Sequence, residues 1–135
     1  YLIAEPLNRK NPSVYALERT SNLQLTEQQL SPSPHINPQS YFEGCYGVNH
    51  EDCNPVPIKI KVYGSQVDYV RARPIHASQE EVEQGDGWSV FSYWLRPSYN
   101  FYQMLLWHRE KVEVMEPKEV RGEMKKIVNQ ISKQY

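Results

Sequence analysis

The chain has little with which to staple itself together: two cysteines, Cys45 and Cys53, in 135 residues. That is too few for the disulfide framework of a small secreted domain, so reduced thiols and an ordinary hydrophobic core are expected. It also lacks a charge bias. The formal net charge is -1, which excludes a general polyanion binder held by bulk electrostatics. The charges are unevenly placed, however, with three Lys/Arg and six Asp/Glu up to Asn54, then twelve and ten. Cationic side chains therefore concentrate in the second half. Long apolar runs are missing: nothing approaches the ~20 residues that span a bilayer, and a cytoplasmic protein with no membrane partner is expected. No Ser, His and acid set, phosphate-cradling glycine loop or spaced carboxylate pair stands out. No catalytic residue is assigned, no enzyme is expected, and no cofactor is called for.

What is present is one dominant strand signal, Trp88-Ser89-Val90-Phe91-Ser92-Tyr93-Trp94-Leu95, entered through Gly85-Asp86-Gly87 and stopped by Pro97. Aromatic and β-branched side chains suit a pleated surface. Because side chains alternate, Trp88, Val90 and Trp94 point one way while Phe91, Tyr93 and Leu95 point the other. Both faces are apolar. Helices of the same domain can cover one, and something else must cover the second.

Ahead of it, Tyr1-Leu2-Ile3-Ala4 and Val14-Tyr15-Ala16-Leu17 read as a hairpin across the turn-like Asn8-Arg9-Lys10-Asn11-Pro12, with Leu23-Gln24-Leu25 as a third strand. Tyr1 already lies inside a strand pattern, so a longer chain is expected upstream. Ser31-Pro32-Ser33-Pro34 interrupts regular structure. Asn37-Pro38 then has the form of an N-cap followed by proline at the first helical position. From Ile58 the order is clearer. Ile58, Ile60 and Val62 alternate with Lys59, Lys61 and Tyr63; Ser65 and Asp68 form a capping-box pattern over a helix with Val67 and Val70 inward. His76 to Gln84 suits a charged edge strand. Ser98 caps a helix bearing Phe101, Tyr102, Leu105 and Leu106; Lys111 to Met115 alternates; and Val120, Met124, Ile127, Val128 and Ile131 mark the apolar face of a terminal helix after Pro117. The expectation is α+β: partial small β-barrel (SH3/Sm-like) strands, then a ferredoxin-like βαββαβ domain with an extra C-terminal helix.

The opening Tyr1-Leu2-Ile3-Ala4, Leu17-Glu18-Arg19-Thr20, Tyr41-Phe42-Glu43-Gly44 and Tyr46-Gly47-Val48 resemble the WYL-domain regulators of bacteria. Leu17-Glu18-Arg19 stands where that family carries Leu-Asp-Arg. Pro74 to Gln79, Asp86-Gly87 and Val112 to Pro117 resemble the extension that follows WYL domains, although His108-Arg109-Glu110 stands where the family commonly has glycine. The resemblance implies residues 1–34 as the C-terminal part of a WYL-type β module, 35–54 as a connecting helix and loop, and 55–135 as the extension. It also implies a homodimer, a nucleic-acid or nucleotide ligand, and DNA contact through a winged helix-turn-helix domain upstream.

On that resemblance the ligand residues are Arg19, Tyr1, Arg9 and Lys10, since a guanidinium at a strand end grips a phosphate at two points. The alternative for Arg19 is a surface pair with Glu18 or Glu5. A second candidate is the sheet face of Lys59, Lys61 and Tyr63, joined by Phe91 and Tyr93 if they share it. Aromatics flanked by lysines on such a sheet are how RNA-recognition modules stack bases and meet phosphates, and a stand-alone RNA or single-stranded DNA module is the alternative function. A small-molecule effector domain is a third. Cys45, His50, Cys53 and His35 do not have zinc-site spacing, so no metal is assigned.

Overall fold

The computed structural model describes residues 1–6, 8, 11–29, 36–48 and 53–135. The chain forms two compact units, Tyr1–Glu43 and Gly44–Tyr135.

In the first unit, β1 (Leu2–Ala4) pairs antiparallel with β2 (Ser13–Tyr15), Leu2 opposite Tyr15 and Ala4 opposite Ser13. The expected continuation of β2 through Leu17 to Thr20 is instead a single 3-10 turn, Leu17–Arg19, closed by Arg19 N–H to Ala16 O at 3.1 Å. Leu23-Gln24-Leu25 is not a strand, and both leucines stand in solvent. Alternation makes a strand only where a partner supplies hydrogen bonds and a surface to bury against, and two three-residue strands supply little of either. No closed barrel exists among the described residues. α1 (Pro38–Tyr41) starts as expected, with Asn37 Oδ1 accepting from Gln39 N–H at 2.9 Å. Ser31 to Pro34 lie outside the described residues.

The second unit is an antiparallel four-stranded sheet in the order β4-β5-β3-β6. Its elements are β3 (Val56–Tyr63), α2 (Gln66–Ala72), β4 (Glu80–Gly85), β5 (Trp88–Leu95), α3 (Tyr99–Trp107), β6 (Val112–Glu116) and α4 (Lys118–Ser132). This is the ferredoxin-like βαββαβ order with a terminal helix, as the sequence pattern implied. β5 is central, and charged β4 is an edge. Gly87, at φ +74°, occupies left-handed space that a side chain enters only at a cost, and so turns β4 into β5.

Register decides the core. Ile58 opposes Tyr93, Ile60 opposes Phe91, Val62 opposes Ser89 and Val56 opposes Leu95. Directly opposed residues share a face. Ile58, Ile60, Val62, Phe91, Tyr93 and Leu95 form one cluster with Val67 and Val70 of α2, Phe101, Met104 and Leu105 of α3, Val114 of β6 and Val120 of α4, and Val56 packs against it. Phe91 and Tyr93 therefore do not share the face of Lys59, Lys61 and Tyr63: they lie beneath the helices, 1% and 2% exposed. Trp88, Val90, Ser92 and Trp94 share the lysine face instead.

Two caps differ from expectation. Ser65 has helical dihedrals (φ -61°, ψ -16°) and makes no side-chain cap, because the chain enters α2 through a tight turn with Val67 N–H bonded to Gly64 O at 3.1 Å. An N-cap must be extended for its side chain to reach the first amides. Asp68 instead takes Arg71 at 3.1 Å. Ser98 is extended at the N-cap of α3, yet its hydroxyl makes no cap bond.

Truncation at two β5 positions separates the faces. Phe91→Ala is expected to lower unfolding free energy by about 3 to 5 kcal/mol, and Trp94→Ala by under about 1 kcal/mol. Urea denaturation followed by circular dichroism checks the order, and equal losses would contradict the register.

Candidate functional site

The outer sheet face is built row by row. One row is Glu83, Val90, Lys61 and Glu113, and the next is Glu80, Ser92, Lys59 and Glu116. A third sets Gly85, Trp88 and Tyr63 side by side, and Trp94 lies opposite Pro57. The lysines thus occupy the inner strand β3, and the glutamates stand on the two edge strands, β4 and β6.

These pairings use up much of the positive charge. Lys59 Nζ is 3.2 Å from Glu116. Lys61 Nζ sits 3.7 Å from the centroid of the Trp88 ring and 5.6 Å from that of Tyr63, a cation–π arrangement. A Cβ at Gly85 would fall 2.4 Å from Trp88, so the bare glycine backbone is what lets the indole lie across the strand. Tyr63 donates to Glu113 at 2.8 Å, and Arg121 pairs with the same carboxylate at 2.8 Å. The bond from Tyr63, aided by Arg121, holds Glu113 below the usual carboxylate range and pushes the Tyr63 phenol up. The face offers aromatic surface but more carboxylates than free cations. Stacking is available on it; a phosphate grip is not.

The helix-covered side holds two polar hubs that sequence patterns did not reveal. Gln79 accepts from Tyr93 Oη–H at 2.9 Å and from Ile75 N–H at 3.0 Å, and donates to Val70 O at 3.0 Å. Burial pushes the Tyr93 phenol well above its ordinary value, and the glutamine gives its proton a partner. Arg71 grips Glu81 with two nitrogens at 2.6 and 2.9 Å and reaches Ser89 Oγ at 3.2 Å. The only advance signal was the odd serine at an apolar position of β5. His76 and His108 are held in local bonds, Nδ1 of His76 to Ser78 Oγ at 2.8 Å and Nδ1 of His108 to Gln66 Nε2 at 2.9 Å. Burial lowers both below the usual histidine value.

In the first unit, Arg19 is exposed on its 3-10 turn, and its guanidinium has no partner among the described residues, Glu18 and Glu5 included. Because Leu2 opposes Tyr15, Tyr1 lies at the hairpin end from which the chain leaves through Ala16 toward that turn. Arg9 and Lys10 lie outside the described residues, as do His35 and His50. Cys45 is buried and Cys53 half-buried, both as free thiols. Among the described residues no group of three metal-ligating side chains gathers, and no helix is long and apolar enough to cross a membrane.

The second unit is thus a βαββαβ sheet with one face under helices and an aromatic, charged surface on the other. The family model of the WCX domain matches residues 54–132, and the chain belongs to that family, the C-terminal part of WYL-type regulators. No curated protein matches the chain.

Acid titration tests the Arg71 hub. The hydrogen bonds from Arg71 and Ser89 hold Glu81 down from 4.5 to about 2. A depressed carboxylate contributes stability that is complete above pH 4.5 and is lost as pH falls through about 2. The melting temperature of the native chain is therefore expected to fall more steeply over that interval than that of Glu81→Gln; parallel curves would remove the hub from the account.

Proposed function

We propose that this chain is the ligand-sensing and dimerisation region of a bacterial WYL-type transcriptional regulator, a non-catalytic cytoplasmic module working with a DNA-binding domain upstream. The observation that carries the dimer is the outer sheet face, where Trp94, on the same strand as Trp88, is 48% exposed opposite Pro57. An indole on a flat sheet is costly to leave in water, and aromatic residues are enriched at subunit contacts. A homodimer pairs like patches about a two-fold axis.

Ligand contact belongs to the hairpin unit. Arg19 supplies a guanidinium with no partner among the described residues, which suits a phosphate of a nucleotide or nucleic acid, with Tyr1 at the same hairpin end and Arg9 and Lys10, outside the described residues, as further candidates. Binding would bias how two subunits sit against each other, and that geometry would set the spacing of the DNA-reading domains.

Sedimentation of the full-length regulator tests the dimer. Trp94→Glu is expected to convert dimer to monomer, whereas a native protein that stays monomeric with and without a short single-stranded oligonucleotide would sink the reading. For the ligand contact, Arg19→Ala is expected to weaken oligonucleotide binding and reduce its log–log salt slope by about one. An unchanged slope would remove Arg19 from the site.

A further inference from the structure

An apolar groove of about 700 Å³ lies between β6, the end of α3 and the second half of α4. Leu106, Val112, Val114, Met124, Val128 and Ile131 line it, and Arg109, Glu110, Glu113, Arg121 and Lys125 stand around its rim. Its size is that of a small-ligand site.

Among the described residues α4 is fixed to the core through its first half, by Val120 and Met124. Val120 is buried in the core, and Arg121 donates to Val114 O at 2.7 Å while pairing with Glu113. The apolar stripe continues past Met124, yet Val128 is 46% and Ile131 40% exposed. Ile131 lies seven residues, about 10 Å, beyond Met124 along the helix, so the stripe past Met124 is half-exposed over that length.

The rim has a sign. Arg121 and Glu113 neutralise each other. Glu110 is shared between Arg109 and Lys111, each at 3.6 Å, and Lys125 has no ion pair among the described residues. Cations therefore outnumber carboxylates at the mouth. Arg109 also has φ +57°, a left-handed conformation that glycine adopts freely and arginine only at a cost. Its long ion pair and 81% exposed side chain give no internal return for that strain.

We propose that this groove binds a single-chain anionic amphiphile free in solution, its head group at Arg109 and Lys125 and its tail along Val114, Met124, Val128 and Ile131. Such a ligand would join the loose half of α4 to β6 and fix the direction of the helix. The site goes beyond the sensing role proposed above, which places the ligand on the hairpin unit, and it stands or falls without it.

Calorimetric titration of the whole chain with dodecanoate below its micelle threshold tests the site, with dodecyltrimethylammonium as the same tail under the opposite head. Saturable one-to-one binding of the anion, at least about tenfold tighter than the cation, is expected, and Lys125→Glu should weaken it by about tenfold. Arg109→Gly should raise the melting temperature by a few degrees while weakening dodecanoate binding, opposite signs that a purely structural arginine would not give. Val128→Glu, checked for folding by circular dichroism, should abolish binding. Equal affinity for the two detergents, or binding untouched by Lys125→Glu and Arg109→Gly, overturns the proposal. So does a Val128→Glu protein that turns from dimer to monomer where the native chain binds no dodecanoate, since the groove would then belong to a second copy.

Discussion

Eight consecutive pairings between β3 and β5 set Ile58 against Tyr93 and Ile60 against Phe91, and the organisation of the second unit follows from that register. A shift of one residue would exchange the two faces, sending Lys59 and Lys61 under the helices and the isoleucines into water. Burying two ammonium groups unpaired costs far more than any gain from extra aromatic contact. The register is therefore held by what β3 will not tolerate as much as by what β5 prefers.

With one face committed to the helices, polar groups at the margins had to be satisfied locally. Gln79 does this for the Tyr93 hydroxyl and two backbone groups, and Arg71 does it for Glu81 and Ser89. Both hubs tie the segment carrying β4 to α2, so the edge strand is held by side chains as well as by its ladder. The opposite edge is treated differently. There α4 is clamped to β6 through Arg121 and then runs on with its apolar stripe half-exposed. One margin is closed by side-chain bonds and the other is left half-open.

Much of the second unit was legible because its patterns were local and long: the alternation of Ile58 to Tyr63, the aromatic run of β5, and the stripe of α4 each repeat over several turns or pleats. The first unit was less legible. Leu17 to Thr20 and Leu23 to Leu25 alternate well enough for strands, but alternation of three or four residues is decided by the partners available, and there a turn and an exposed segment without regular structure resulted. Ser65 and Ser98 stood at helix starts as read, while their hydroxyls made no caps: Ser65 enters with helical dihedrals, and Ser98 is extended yet does not cap. Of the candidate site residues, Arg19 and Tyr1 are placed on the hairpin unit, and Phe91 and Tyr93 turn out to be core.

From sequence alone came the antiparallel βαββαβ order, the two-faced character of β5 and the absence of charge enough for a general polyanion binder. Those depend on periodicity and composition, which are properties of the chain itself. Which face of β5 met the lysines, which cations were already paired, and that the second half of α4 would stand off from β6 were decided only by tertiary structure. Each of these depends on which strand lies beside which and in what register, and residues distant in sequence settle that together.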